Sequence, residues 1–258
     1  RQRQMCIRDR NKAPYLVVQI IAMSKLATLI LLTSRFYANK LIEMSVERSP
    51  DIGVICVEHP NELLQFGEDF LRTARLVSFG SRFYVKSEIL KLIGYNSYNF
   101  HPGPPSYPGW APFNFALYDA APTYGVTLHE MTSDIDTGVI VGCKNFAIPK
   151  DCDVQQLMDL TTAAMYDLFA DLIDDFTKKQ SPLTAIDLNW SGHITTKKDF
   201  ETMCHIEPDI SEVELNRRIH AFGSSDGINL PYLIIGGDKY MIAFPEDPME
   251  RTSFYVHQ

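Results

Sequence analysis

The sequence has few cysteines and none of the spacings that usually make cysteine functional. Five cysteines are scattered through 258 residues, and no two of them are separated by two positions. A disulfide framework needs paired cysteines and a zinc site needs clustered ones, so neither is indicated. We therefore expect no bound metal, and a chain that works in the reducing cytoplasm.

Two familiar catalytic signatures are also missing. No G-x-G-x-x-G motif follows a predicted strand, and Gly236-Gly237 is interpreted as a turn, so a dinucleotide-binding fingerprint is absent. No serine, cysteine or threonine lies in an obvious nucleophile elbow. A mechanism through a covalent acyl-enzyme is therefore not indicated.

Basic residues are in deficit over most of the chain. The net charge is −8, but residues 1–22 contain five basic residues and one acidic residue, which leaves −12 for the remainder. A strongly acidic body repels the phosphates of nucleic acids. We therefore expect a small-molecule substrate, and the charge argues against tRNA as a partner.

The amino-terminal region departs from this pattern. Residues 13–33 are apolar and follow basic residues, which is the order found in a signal peptide. Gln19 and Lys25 interrupt the run, and no clean cleavage pattern follows. We predict that the native chain starts at Met23 and that residues 1–22 are a non-native or disordered extension, with a signal peptide as the alternative. No membrane span is expected.

From residue 26 onward, apolar strand patterns alternate with helical ones. The predicted strands are residues 26–33, 52–57, 75–79, 95–100, 124–131 and 139–148, and the predicted helices among them are residues 37–47, 61–73 and 85–93. Such alternation requires right-handed crossovers and predicts an α/β fold with a Rossmann-like, doubly wound and mainly parallel sheet. Ligands bind these sheets at the carboxyl ends of the strands.

The strongest helix prediction covers residues 153–179, which begin with a capping box and continue with apolar residues at helical spacing. Further on, a second capping box predicts a helix over residues 211–222. Residues 230–244 are typical of a β-hairpin around two glycines. We therefore predict a catalytic domain over residues 23–182 and a small α+β subdomain over residues 183–258.

Three polar side chains occur where predicted strands stop. Asn99 and His101 are two positions apart, so on an extended strand both point to the same face, and Pro102 ends that strand. Asp136 lies in the turn between the last two strands of the predicted sheet. An amide can stabilise a developing oxyanion, an imidazole can move a proton, and a nearby carboxylate favours the charged imidazolium. The set suits direct attack by an amine on a bound carbonyl carbon.

These residues belong to motifs that occur in a fixed order. The chain reads Asn-x-His-Pro at residues 99–102, then a proline-rich loop, Gly-Val-Thr-x-His at residues 125–129 and Asp-Thr-Gly at residues 136–138. The order resembles that of the formyltransferase family, which uses 10-formyltetrahydrofolate and includes glycinamide ribonucleotide, methionyl-tRNA and sugar-nucleotide formyltransferases. The resemblance extends over residues 26–176, and in its layout the chain is most similar to the sugar N-formyltransferases.

The resemblance implies a role for each of these residues. Asn99 and His101 would hold the formyl oxygen, while Asp136 would tune His101 and manage the proton. The folate donor would lie in a pocket built largely from backbone, for which the implied residues are Ser81, Arg82, Phe83, Tyr84, Val85, Ser133, Asp134, Ile135 and Gly138. The tRNA-specific members usually carry a barrel domain after the catalytic domain, and residues 183–258 are too few and too acidic for one.

We therefore expect a one-carbon transferase that moves a formyl group from 10-formyltetrahydrofolate to a primary amine on an amino-sugar nucleotide. Three alternatives stay open at this point: a methionyl-tRNA formyltransferase, a formyltetrahydrofolate hydrolase, and a non-catalytic folate-binding protein. Among the remaining polar residues, His129 is interpreted as a packing residue, and Arg217 and Arg218 as part of a solvated helix face. A homodimer is a further expectation.

Overall fold

The computed structural model describes residues 25–191, 193–223, 231–243 and 255–257. The predicted extension over residues 1–22, its signal-peptide alternative and the predicted start at Met23 lie outside the described residues. In the part of the chain that the structure describes, no helix is both long and apolar enough to cross a membrane.

A six-stranded sheet forms the centre of the fold. Its strands are β1 (Thr28–Thr33), β2 (Gly53–Val57), β3 (Ala74–Phe79), β4 (Ser97–His101), β5 (Thr123–Glu130) and β6 (Ile140–Ala147). They lie in the order β2-β1-β3-β4-β5-β6. Strands β1 to β4 pair in parallel, whereas β5 is antiparallel to both β4 and β6. The sheet is mainly parallel, as predicted, and its last pair is antiparallel because a turn rather than a crossover joins β5 to β6.

Helices cover both faces of this sheet. They are α1 (Arg35–Arg48), α2 (Glu68–Leu71), α3 (Ser87–Leu90), α4 (Pro112–Tyr118) and α5 (Val154–Thr177). On one face, Leu29 and Phe100 of the sheet belong to the same buried cluster as Phe169 of α5. On the other face, Ile30 is buried in a cluster with Ile89 of α3. The α/β, Rossmann-like and doubly wound fold predicted from the alternation of elements is thus confirmed.

Strands β1 and β3 are buried along their whole length. Each has a strand on either side and a helical layer on either face, which explains their near-continuous apolar runs. Arg75 is the charged exception, and it has no exposed surface. Its guanidinium donates hydrogen bonds to the carbonyl oxygens of Tyr95, Asp175, Phe176, Lys179 and Ser181. These bonds tie β3 to the residue range before β4, to the last turn of α5 and to the residues after it, contacts that the sequence analysis missed.

The predicted start of α5 is confirmed in detail. The Asp153 side chain accepts a hydrogen bond from the Gln156 amide at 2.8 Å, and the Gln156 side chain accepts one from the Asp153 amide at 3.2 Å. The two bonds satisfy amides that have no partner inside the helix. A fixed start of this kind sets which face of α5 packs on the sheet.

Two other helix predictions were too long. The predicted helix over residues 61–73 is replaced by a 3₁₀ helix at Pro60–Gln65 and the single turn of α2, and the predicted helix over residues 85–93 contains only α3. The His59 side chain accepts a hydrogen bond from the amide two residues on, which favours a tight first turn, and Gly67 begins the next turn in an extended conformation. Helix α4 was not predicted, and neither was the helix at Lys197–Cys204.

A smaller set of elements follows α5. It comprises α6 (Lys197–Cys204), α7 (Glu212–Phe222), β7 (Tyr232–Ile235), β8 (Asp238–Ala243) and β9 (Tyr255–His257). Strands β7 and β8 form the predicted hairpin, with Gly236 and Gly237 both at positive φ, as its two-residue turn requires. The Asn114 side chain of α4 donates a hydrogen bond to the Ala221 carbonyl of α7 at 2.7 Å. The division into domains at residues 182 and 183 stays a prediction.

Candidate active site

Strands β4 and β5 bring four polar side chains to one end of the sheet. In the antiparallel pairing of these strands, Asn99 lies opposite His129 and His101 lies opposite Thr127. Because side chains alternate along a strand, these residues share one face. Asn99 and His101 are therefore adjacent as predicted, and the fold adds His129 to them.

Asp136 lies between the two histidines. Its Oδ2 is 3.1 Å from His101 Nδ1 and its Oδ1 is 3.3 Å from His129 Nε2. The Gly109 amide donates to Oδ2 at 2.8 Å. The backbone at Asp136 adopts a positive φ of 48°, which is uncommon for a non-glycine residue and turns the carboxylate back towards the sheet. One carboxylate thus bridges two imidazoles.

The surroundings of Asp136 keep it ionised although it is only 6% exposed. Burial on its own would raise the pKa of Asp136. The hydrogen bonds from His101, His129 and the Gly109 amide outweigh burial and hold the pKa well below its usual value. The carboxylate is therefore a permanent negative charge at any physiological pH.

Each histidine has an oxygen acceptor at both ring nitrogens. His101 Nε2 is 2.8 Å from the Tyr107 carbonyl oxygen, and His129 Nδ1 is 2.8 Å from the Glu130 carbonyl oxygen. A neutral imidazole has one N–H, so a ring that donates to a carbonyl and to Asp136 at the same time must be an imidazolium. For His101 to reach a substrate oxygen, its bond to Tyr107 has to be exchanged for one to the substrate.

His129 was interpreted as a packing residue, and the structure places it in the site instead. Its Nε2 is also 3.2 Å from the side-chain nitrogen of Asn99. A histidine on the neighbouring strand, in register with Asn99, could have been identified once β4 and β5 were paired antiparallel. The sequence analysis located both strands but not their register.

A tryptophan covers the two histidines. The Trp190 ring lies edge-on to His101 and His129, with centroid distances of 5.6 and 5.1 Å. Its Nε1 donates to the Gly138 carbonyl oxygen at 2.8 Å, and the next amide, that of Ser191, donates to the Pro105 carbonyl oxygen at 2.9 Å. The segment after α5 therefore crosses over the site, and His101 and His129 are each only 3% exposed.

The residues implied as folate binders fall into two loops that touch each other. Tyr84 donates from its hydroxyl to the Ser133 carbonyl oxygen at 2.9 Å, which joins the loop after β3 to the turn after β5. The exposed side chains of this set are those of Arg82, Phe83, Tyr84, Ser133, Asp134 and Ile135. Ser81 is partly buried and accepts a hydrogen bond from the Phe83 amide.

Two of the implied folate binders, Val85 and Gly138, have a role in packing. Val85 is 4% exposed and packs in the apolar cluster with Ile89. Gly138 lies so close to β5 that a Cβ added to it would be 1.8 Å from the Glu130 carbonyl oxygen. A glycine is therefore required there for packing, whatever else the turn does.

A small cavity lies next to the start of β4 and the end of β5. It has a volume of about 190 Å³ and is lined by Leu90, Ile93, Gly94, Asn96, Ser97, Glu130 and Met131. The Ser97 hydroxyl is buried there and has no hydrogen-bond partner in the described part of the chain. A larger surface groove of about 390 Å³ lies between α1 and α5, where Arg48 pairs with Asp174, and it contains none of the residues considered above.

The two arginines of α7 are engaged within the fold. Arg217 stacks on the Tyr118 ring and donates to the Tyr118 carbonyl oxygen at 2.5 Å. Arg218 pairs with Glu214 at 2.7 Å and donates to the His205 carbonyl oxygen. The bonds to Tyr118 and His205 hold α7 against the neighbouring segments. Within the described ranges, no cluster of histidine, cysteine, aspartate or glutamate could hold a metal ion.

Comparison with known proteins agrees with this geometry. Residues 79–173, which include Asn99, His101, His129 and Asp136, match the family model described as formyl transferase. Over these residues the chain is similar to the formyltransferase family. Members of this family are enzymes that transfer a formyl group.

Two curated relatives extend the match. The bifunctional polymyxin resistance protein ArnA of Wigglesworthia glossinidia brevipalpis is 37% identical over 93 residues, which are 35% of this chain and 14% of that protein. The dTDP-4-amino-4,6-dideoxyglucose formyltransferase of Mycobacterium bovis is 28% identical over 169 residues, which are 61% of this chain and 68% of that protein. The chain thus spans only a small part of ArnA and about two thirds of the mycobacterial relative.

A solved formyltransferase structure shares the fold. The 4-N formyltransferase of Francisella tularensis superposes with a TM-score of 0.69 at 19% identity, over 87% of this chain and 99% of that one. At this level of identity the likeness concerns the arrangement of strands and helices. It agrees with the six-stranded, mainly parallel sheet described above.

Proposed function

We propose that this chain transfers a formyl group from 10-formyltetrahydrofolate to the primary amine of an amino-sugar nucleotide. The observation that carries the proposal is the buried Asp136 between His101 and His129, next to the Asn99 amide, inside the stretch that matches the formyltransferase family. An amide donor, an imidazole and a fixed negative charge are what the attack of an amine on a carbonyl requires.

The reaction follows from these groups. The amine nitrogen attacks the formyl carbon, and the carbonyl electron pair moves onto the formyl oxygen, where the Asn99 NH₂ group stabilises the negative charge. The bond between the formyl carbon and N10 of the folate then breaks. His101, with Asp136 behind it, takes part in moving the amine proton to N10, which leaves as the amine of tetrahydrofolate. The products are a formamide on the sugar and tetrahydrofolate.

Donor binding is assigned to the two loops that Tyr84 and Ser133 join. Their exposed aromatic and apolar side chains, among them Phe83 and Ile135, offer surface for a flat heterocycle. The turn at Asp134 and Gly138 contributes backbone groups. Arg82 is exposed on the same loop and carries the positive charge that suits the carboxylates of a folate tail.

The names of the relatives favour an amino-sugar nucleotide as the acceptor. The mycobacterial relative is named for a dTDP-linked amino sugar, and the solved structure is named as a 4-N formyltransferase. The net charge of −12 outside residues 1–22 is unfavourable for tRNA. We place this activity in the cytoplasm, where folate donors and sugar nucleotides meet, and the homodimer stays a prediction.

Donor turnover with a panel of amines tests the proposal. Wild-type protein is mixed with 10-formyltetrahydrofolate and amino-sugar nucleotides that differ in base and in amine position, and tetrahydrofolate release is followed by absorbance. We expect turnover that requires one acceptor class and falls about 100-fold or more in Asn99→Ala, the loss typical for an oxyanion donor. The exposed Asn216→Ala on α7 is the matched control. Formate release without an amine would instead identify a hydrolase, and folate binding without turnover would identify a binding protein.

A further inference from the structure

His129 faces three groups whose hydrogen-bonding demands conflict. Its Nδ1 is 2.8 Å from the Glu130 carbonyl oxygen, which can only accept, so Nδ1 must carry a hydrogen. Its Nε2 is 3.3 Å from Asp136 Oδ1, which also only accepts, and 3.2 Å from Asn99 Nδ2, which only donates. A single Nε2 cannot serve both of these neighbours in one protonation state.

The conflict is resolved by the orientation of the Asn99 amide. If Nε2 carries a proton, the ring donates to Asp136, and Asn99 must turn its carbonyl oxygen towards the ring. If Nε2 carries no proton, it accepts a hydrogen bond from the Asn99 NH₂ group and makes no hydrogen bond to Asp136 Oδ1. The two amide ends exchange by half a turn about the terminal torsion of the side chain, so the backbone need not move.

The two orientations present opposite ends of the amide to a substrate. With His129 protonated, the NH₂ group of Asn99 faces away from the ring and can donate to a formyl oxygen. With His129 neutral, the NH₂ group is held by the ring and the amide oxygen takes its place. An oxygen at that position repels the charge that develops on a formyl oxygen.

We propose that His129 is a positioning residue whose proton decides which end of the Asn99 amide faces the substrate. The proposal rests on the formyl-transfer function. It adds a residue that sets the orientation of the oxyanion donor, Asn99. The groups that face His129 are the Asp136 carboxylate, the Asn99 amide, the Glu130 carbonyl and the Trp190 ring, and Asp136 is itself shared with His101.

The pH profile of turnover is the first test. In wild-type protein we expect kcat to fall at high pH as His129 loses its proton, with KM for the donor changed much less. A glutamine at position 129 keeps a donor at the place of Nε2 and does not titrate. We therefore expect His129→Gln to retain activity within about tenfold and to lose the fall in kcat at high pH. His129→Leu should lower kcat by about tenfold or more at every pH, and at most by the factor expected when the oxyanion donor itself is removed. The exposed His193→Gln is the matched control.

A second readout does not depend on turnover. The side-chain NH₂ resonances of Asn99, assigned by comparison with Asn99→Ala, are followed by ¹⁵N NMR across the pH range without substrate. We expect them to shift with the same midpoint as the Nε2 resonance of His129 in wild-type protein, and to stay constant in His129→Gln.

Each result bears on one claim. If kcat of His129→Gln still falls at high pH, or if the Asn99 resonances do not shift together with the Nε2 resonance of His129, the role of His129 is overturned. Formyl transfer would remain intact in either case. A wild-type protein that turns over no donor, yet shows the coupled NMR titration, would contradict the proposed function and leave the coupling in place.

Discussion

Single residues decide whether the site keeps its charges in place. Asp136 is nearly inaccessible to water, and its two carboxylate oxygens divide their contacts between His101 and His129. A buried charge is tolerated only when it is paired and hydrogen-bonded. The two histidines and the Gly109 amide therefore stabilise the ionised Asp136 carboxylate.

The depressed pKa of Asp136 predicts how stability depends on pH. The unfolded chain binds a proton at this carboxyl near pH 4, whereas the folded chain does so only at a much lower pH. Stability from this group is therefore fully present above the unfolded pKa and is lost as the pH falls towards the folded one. Relative to Asp136→Asn, the wild type should gain free energy of unfolding as the pH rises from about 3 to about 5. Urea unfolding at several pH values measures this, and a difference that ignores pH across that range would contradict the assignment.

Gly138 predicts a strong steric effect beside the same carboxylate. A Cβ at this position would overlap the Glu130 carbonyl oxygen at the end of β5, so the turn that holds Asp136 would have to move. We expect Gly138→Ala to lower the melting temperature by several degrees, on the order of 1–3 kcal/mol, and to reduce turnover strongly. Gly67→Ala is the control because a Cβ there meets nothing within 4 Å, and it should cost less than about 1 kcal/mol. Equal effects of the two substitutions would show that the close contact is unimportant.

At the scale of elements, the end of α5 depends on a residue from another element. The last carbonyl groups of a helix have no partners within the helix, and here Arg75 of β3 supplies hydrogen-bond donors to this region. Burial lowers the pKa of Arg75, although nearby groups such as Tyr98 and Asp175 oppose the change. Arginine suits the position because its planar group carries five donors and stays charged.

Replacing Arg75 should therefore destabilise the whole domain. In Arg75→Met several buried carbonyl groups lose their donors, and we expect a loss of about 3 kcal/mol or more, which corresponds to about 6–12 °C in melting temperature. Arg75→Lys should fall in between, since lysine has three donors on one nitrogen. The exposed Arg35→Met serves as the control. A stability of Arg75→Met within about 0.5 kcal/mol of wild type would contradict this account.

The segment after α5 predicts a separate effect on chemistry. Trp190 covers both imidazoles and donates to the Gly138 carbonyl oxygen, so removing it admits water to the site. We expect Trp190→Ala to transfer formyl groups at least about tenfold more slowly and to release more formate per transfer than wild type, because water then competes with the amine. Trp190→Phe keeps the apolar cover and should be affected less. Product analysis by chromatography measures both outcomes, and a proportional loss of both reactions would argue against water exclusion.

Elements with a strong apolar pattern could be predicted from the sequence, and those fixed by tertiary contacts could not. The runs of β1 and β3 and the capping box of α5 are local signals, and they gave the right elements. Helix α4 begins after a proline-rich loop at Ala111 in a left-handed conformation, which no local pattern indicates. Helix α6 had a usable signal, since Thr196 and Asp199 form a capping box. The pairing of His129 with Asn99 depends on strand register, which a single sequence does not specify.

For the whole molecule, topology explains why the site lies where it does. Strand β4 is the last parallel strand, and β5 returns antiparallel beside it, so β4 lies next to the second half of β5, which contains His129. The turn after β5 then brings Asp136 back over this edge. Asn99, His101 and Asp136 were predicted to cooperate from their motifs, and the fold places them together; their catalytic roles stay a proposal that kinetics can test.

The central claim is that the Asn99 amide, next to the histidine pair, stabilises the oxyanion that forms during formyl transfer to a sugar amine. The most direct measurement is the transfer of a ¹³C label from 10-[¹³C]formyltetrahydrofolate, followed by NMR with a dTDP-linked amino sugar as acceptor. Wild-type protein should produce the labelled formamide, and Asn99→Ala should do so about 100-fold more slowly. Label that appears only in formate, or a formamide rate equal in both proteins, would contradict the account.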